Sequence, residues 1–167
     1  MTAEVAVRNL EVGDEAVVKA WLRPYLEQHL TWWTAAYDTS PRYHLIDLVN
    51  REWDDLLTEN RMNKSLVRIA DGIEPLGIVY ASLRKDRYMG ISLGVLSWLY
   101  VVEAARGTGV SSLLMDAADS WMAAQGAEGR EVFVTTENAA AVKLYERFEY
   151  RAVDARMLGP APRKHMP

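Results

Sequence analysis

The sequence predicts an α/β protein built on one mixed β-sheet with helices on both faces. Three observations predict it. Short apolar runs with alternating polarity mark strands. Longer runs with apolar residues three and four apart mark helices. The two kinds interleave along 167 residues, with neither an internal repeat nor a linker rich enough to divide them. The reading is a single domain over 1–160, followed by a flexible basic tail over 161–167.

Taken in order, Val5 and Val7 suggest a first strand over 4–9. Asp14 then opens a helix of about 14–29, with Val17, Val18, Trp21, Leu22, Tyr25 and Leu26 at helical spacing. Residues 30–42 mix Thr31, Thr34, Thr39, Ser40 and Pro41 with Trp32, Trp33 and Tyr37, and read as a loop or broken helix. A second helix follows over 42–59. Strands over 65–70 and 75–83 flank Asp71-Gly72 and form a hairpin. A long strand runs over 91–102, where Gly94 permits a bend or bulge.

The helix over 109–125 is the best patterned. Val110, Leu113, Leu114, Ala117, Ala118, Trp121 and Met122 make one apolar stripe, and Gly126 ends it. A strand over 131–135, a short helix over 139–148 and a last strand over 150–158 complete the order.

Bulk properties exclude several functions. The net charge is −4, which argues against a general nucleic-acid binder. There is no cysteine, so disulfides and a cysteine nucleophile are excluded. No apolar run approaches the ~18 residues of a membrane span, and Met1 to Leu10 is not a targeting peptide. The expected location is cytoplasmic. His29, His44 and His165 match no metal spacing and read as structural or surface residues, so no metal is expected. Charge is uneven: residues 1–60 carry eleven acids against five bases.

The stretch that carries chemistry runs from Tyr100 to Leu114. A strand ends, a basic glycine-rich turn follows, and a helix opens. The first N–H groups of a helix have no intrahelical partner, and its dipole adds positive charge at the same end. Gly107 and Gly109 let those amides approach phosphate oxygens, and Thr108, Ser111 and Ser112 offer hydroxyls. A P-loop would need a lysine, and a dinucleotide fingerprint a third glycine; neither is present. The same glycines would also suit a purely structural turn.

Arg106-Gly-Thr-Gly109-Val-Ser111 resembles the Arg/Gln-x-x-Gly-x-Gly/Ala motif of GNAT N-acetyltransferases, with Ser111 in place of Gly/Ala. That family often has Pro where Glu103 stands. A second run, Asn138-Ala-Ala-Ala141-Val-Lys-Leu144-Tyr145-Glu-Arg-Phe-Glu149-Tyr150, resembles the family's Asn-x-x-Ala-x-x-Leu-Tyr-x-x-x-Gly-Phe, with Glu149 for Gly and Tyr150 for Phe.

The resemblance implies the GNAT fold, a mostly antiparallel sheet whose fourth and fifth strands splay apart at a bulge. It implies acetyl-CoA as co-substrate. The pyrophosphate would lie on the amides of Arg106, Gly107, Thr108, Gly109, Val110 and Ser111. The pantetheine arm would pair with the backbone of Val101 and Val102, with Asn138 nearby. Tyr145 would be the general acid that protonates the leaving thiolate. Glu103, Glu137 or a water chain are open as the general base.

The expected reaction is acetyl transfer to a small, cationic amine, with Trp32, Trp33, Tyr37 and Asp38 binding the acceptor. Two competing readings are a non-catalytic acyl-CoA-binding module and an acetyltransferase for protein N-termini or lysines. A homodimer is implied by family habit alone. Neither a nucleic-acid nor a membrane partner is expected.

Overall fold

A computed structural model describes residues 4–62 and 65–162. His165 and most of the expected tail lie outside the described residues. The chain clusters into two compact units. One comprises residues up to Val12 together with Asp55–Arg151; the other comprises Gly13–Asp54 together with the residues from Ala152 onward.

The first unit holds a five-stranded sheet in the order β1 (Ala6–Asn9), β2 (Leu66–Asp71), β3 (Pro75–Lys85), β4 (Ser92–Val101), β5 (Gly129–Val132). The first three pairings are antiparallel and β4–β5 is parallel. The β2–β3 hairpin forms at Asp71-Gly72 as expected, and Arg8 ties β1 to Asp71 at 2.7 Å.

Helix α3 (Val110–Ala124) packs on this sheet. Its buried residues are Val110, Leu114, Met115, Ala118 and Met122. Each fully buried large aliphatic contributes roughly 1.5–3 kcal/mol. The stripe is rotated slightly from the expected one: Met115 enters the core, and Leu113 and Trp121 are half-buried. Gly126 follows the helix at φ 77°, the left-handed conformation predicted for it. Helix α4 (Ala139–Arg147) presents Tyr145, and its exit presents Phe148 and Tyr150, to the same core cluster as α3.

The second unit contains helix α1 (Glu15–Tyr37) and the first part of helix α2 (Leu45–Met62). Val18, Trp21, Leu22 and Leu26 are the buried face of α1. The expected loop over 30–42 is a correction: α1 continues to Tyr37. Threonine competes for backbone hydrogen bonds, but here Thr31 folds its hydroxyl back onto the Glu27 carbonyl at 2.9 Å. Ring contacts one turn apart add to the helix. His29 lies 4.2 Å from Tyr25, 5.2 Å from Trp32 and 5.4 Å from Trp33 between centroids. The helix stops at Asp38, which takes φ 51° and returns its N–H to the Thr34 carbonyl.

Two other expectations are corrected. The last strand, 150–158, does not form. Val153 and Met157 are 87% and 92% exposed, so its alternating pattern has no sheet face to cover. Strand β5 ends at Val132 rather than at residue 135, for a reason set by its neighbour.

Candidate active site

The site begins with an irregularity in β4. Tyr80 pairs with Trp98, yet Ala81 pairs with Leu96, so Ser97 is an extra residue opposite β3. This β-bulge shifts the side-chain parity of the strand. Leu96 on one side of it, and Leu99 and Val101 on the other, all reach the same core cluster. Trp98 and Tyr100 take the opposite face, their rings 6.3 Å apart. The bulge lies at Ser97, not at Gly94. Gly94 serves packing instead: a Cβ there would stand 2.6 Å from Met122 Cγ.

The bulge also ends the parallel ladder. Leu96 pairs with Val132, and no β4 residue beyond it pairs with β5. An open edge therefore follows. The Val102 N–H donates to the Leu76 carbonyl at 2.9 Å, which fixes the alternation. Tyr100 and Val102 direct their backbone groups at β3, while Leu99 and Val101 direct theirs at the open edge. Of the two residues expected to offer edge groups, Val101 faces that edge, its carbonyl already accepting from Arg106 Nε, and Val102 has its N–H engaged with Leu76; Leu99 also faces the edge, which only the register reveals.

Below the edge, a single turn of 3-10 helix, Glu103–Ala105, leads into the glycine-rich turn. Ala105 and Val110 are buried and anchor its two ends, while Arg106, Gly107, Thr108 and Gly109 are exposed between them. Gly107 has φ 76° and Gly109 φ 96°, and a Cβ on either would meet nothing within 4 Å. The glycines are therefore needed for their backbone conformation and for the open space above it, not for packing. The Leu113 N–H is the one that returns to Gly109 as the helix opens; no side chain caps α3. The N–H groups of its first turn thus point into the open space. Thr108 turns its hydroxyl back to the Ala105 carbonyl at 2.6 Å, so it shapes the turn. Arg106 Nε donates to the Val101 carbonyl at 3.1 Å, which holds the guanidinium beside the strand edge.

Asn138 caps α4, its Oδ1 accepting from the Ala141 N–H at 3.3 Å. Tyr145 is half-buried one turn before the helix exit, with its ring 5.9 Å from that of Tyr150. The exit departs from sequence expectation in an instructive way. Glu149 adopts φ 66° where a glycine would be unstrained. The Glu149 N–H reaches the Glu146 carbonyl and the Tyr150 N–H reaches the Tyr145 carbonyl, both at 3.1 Å. These are the two bonds of a Schellman motif.

Arg130, on β5, was not singled out by sequence, because an isolated arginine on a short strand carries no signal. It donates to Asp119 Oδ2 at 2.6 Å and to the Phe148 carbonyl at 2.9 Å, and its guanidinium carbon lies 4.8 Å from the Tyr150 ring centre. Burial pushes the Tyr150 phenol above its ordinary range; Arg130 opposes that shift and Asp119 adds to it.

Glu103 and Glu137 are both exposed, and Glu137 accepts from the Thr136 hydroxyl at 3.0 Å. In the second unit, Trp32 is half-buried, Trp33 and Tyr37 are exposed on the last turns of α1, and Asp38 is its exposed C-cap. Among the described residues, no three His, Asp or Glu side chains gather to hold a metal, and no helix is long and apolar enough to cross a membrane.

A strand edge opened by a bulge, followed by amides at a helix start, suits a long polar ligand with a phosphate at one end. The sequence model described as Acetyltransferase (GNAT) family matches residues 19–150. No curated protein matches the chain. Among solved structures, the aminoglycoside N-acetyltransferase AAC(6')-Iy in complex with CoA superposes with TM-score 0.71 at 16% identity, over 99% of this chain and 98% of that one. A GCN5-related N-acetyltransferase from Ralstonia eutropha JMP134 gives 0.69 at 15%, over 92% and 96%. A transcriptional regulator from Bacillus halodurans C-125 gives 0.70 at 17%, over 98% and 100%. At such identities the structures speak for the fold, and the match over 19–150 speaks for the family. The chain belongs to the GNAT acetyltransferase family, and it is an acetyl-CoA-dependent N-acetyltransferase.

Proposed function

We propose that the protein transfers the acetyl group to a small, cationic amine. Acetyl-CoA, when bound, supplies an activated thioester. The observation that carries the reading is the pair of features at the end of β4: the edge at Leu99 and Val101, and the amides of Gly107 and of Gly109 to Ser111, those of Arg106 and Thr108 being already given to the Glu103 and Ala105 carbonyls. The amides would hold the pyrophosphate, with Arg106 adding charge. The Leu99 and Val101 backbone groups would align the pantetheine arm, and Asn138 would border it. Tyr145 would donate its proton to the departing sulfur. A free tyrosine phenol titrates near pH 10 and so carries its proton at neutral pH.

The amine side of the reaction needs a proton acceptor. An alkyl ammonium with a pKa of ~10.4 costs about 4–5 kcal/mol to deprotonate at neutral pH. Glu103 and Glu137 are the candidates, each acting through water because each is exposed.

Cationic preference is supported by the acid-rich N-terminal third, and by Trp32, Trp33 and Tyr37 ending in Asp38. An aromatic face attracts an ammonium by roughly 0.5–2 kcal/mol. One fold neighbour is an aminoglycoside N-acetyltransferase, which is consistent with such an acceptor. The test is thiol release from acetyl-CoA across polyamines, aminoglycosides, arylalkylamines, and neutral and anionic acceptors. Cationic amines are expected to react, with kcat/KM falling as ionic strength rises. Acetylation confined to neutral or anionic acceptors, or to protein N-termini, would overturn the proposal.

A further inference from the structure

Arg130 is the point where three elements meet. It stands on β5 opposite Gly94, in the last parallel stretch before β4 and β5 part. One arm of its guanidinium holds Asp119 of α3, and the other holds the Phe148 carbonyl at the end of α4. Its guanidinium carbon lies over the Tyr150 ring, which in turn leans on that of Tyr145. The Tyr150 N–H closes on the Tyr145 carbonyl. Tyr145 is thus fastened twice to what Arg130 holds, once through backbone and once ring to ring.

The exit of α4 needs such a fastening. Glu149 sits at φ 66°, a conformation that is strained for an L-residue. The last turn of α4, which carries Tyr145, ends on this strained residue and its two backbone bonds. Lysine could not replace the arginine, because only a planar fork can serve Asp119, the Phe148 carbonyl and a ring face together.

We propose that Arg130 is a positioning residue for Tyr145, clamping the exit of α4 so that the phenol is held toward the sulfur of the bound cofactor. The inference rests on the reading of Tyr145 as the proton donor. It adds that the donor's aim is set from β5 and α3, by a side chain that touches neither substrate.

The test uses free CoA as the probe and needs no acceptor. A phenol donating to sulfur favours the thiolate, so the thiol of bound CoA should ionise about one pH unit below that of free CoA. Carbon NMR on CoA labelled beside its sulfur reads this. Tyr145→Phe should abolish the shift. Arg130→Met and Arg130→Lys should each abolish most of it, with CoA affinity within about threefold of wild type because the phosphate turn is untouched. Adding Arg130→Met to Tyr145→Phe should change nothing further.

If Arg130→Met fails to fold, Arg130→Lys and Asp119→Asn make the same test. The inference is overturned if these variants keep the wild-type shift, or if Lys alone restores it, since charge rather than clamping would then be at work. It also falls if Tyr145→Phe keeps the shift. That outcome, unlike the others, removes the reading of Tyr145 as well.

Discussion

The N–H of Tyr150 donates to the carbonyl of Tyr145 at 3.1 Å, across a Glu149 held in the left-handed conformation. The last turn of α4 is therefore closed by a residue that the conformation disfavours.

Replacing Glu149 with glycine should remove that strain. The expected effect is a gain of about 0.5–1 kcal/mol in unfolding free energy, reduced by the entropy glycine returns to the unfolded chain. Denaturant melts check this. A loss of stability would mean that attraction between the Glu149 and Arg130 charges outweighs the backbone strain.

Gly94→Ala should be costly for the opposite reason. Its conformation is ordinary, but a Cβ would press on Met122 Cγ and Sδ, and Met122 is 1% exposed. Overpacking of this kind costs about 1–3 kcal/mol. In a double variant with Met122→Ala, thermal melts should show a cost clearly below the sum of the single ones, because the two residues share one space.

Gly109→Val places a β-branched residue at φ 96°, over the amides that open α3. CoA affinity should fall by at least about tenfold, since the side chain occupies the space a phosphate would need. Calorimetric titration of the folded variant decides. Unchanged affinity would remove the phosphate-cradle role from this turn.

Tyr145→Phe keeps the ring against the core and removes the hydroxyl. Turnover should fall by about 10–100-fold with near-normal acetyl-CoA affinity. The comparison belongs at saturating acceptor, under conditions where chemistry limits the rate. Equal turnover across pH would leave Tyr145 a packing residue.

Tyr150 carries a buried hydroxyl that finds no hydrogen-bond partner among the described residues. Tyr150→Phe should therefore leave stability unchanged or raise it by up to about 1 kcal/mol. The pH dependence follows from the raised phenol pKa. The folded state holds this proton more tightly than the unfolded chain, whose tyrosines titrate near pH 10. The contribution is complete below about pH 10 and is lost as pH rises through the folded value. Stability measured between pH 8 and 11 should decline on the alkaline side, and less steeply in Tyr150→Phe. Tyr25, also raised by burial and then by Glu52, supplies the remaining decline.

What was legible in the sequence is local chemistry. Glycines at 107 and 109, the helical stripe from Val110 to Met122, and the short helix that carries Tyr145 each act within a turn or two of the chain. Their conformational preferences are written in neighbouring residues, and the structure keeps the turn and both helices, with the stripe rotated so that Met115 is buried. Tertiary structure decided what depends on distant partners. The bulge at Ser97 exists only as a mismatch against β3, and it alone ends β5 at Val132 and opens the edge at Leu99 and Val101. Alternation over 150–158 was not enough to make a strand: β5 keeps an unpaired edge, and Val153 and Met157 stay exposed instead of covering a sheet face. The clamp of Arg130 on Asp119 and Phe148 joins residues 11 and 18 positions away. Sequence order cannot display such a contact, because it is formed by the packing of α3, α4 and the sheet around one guanidinium.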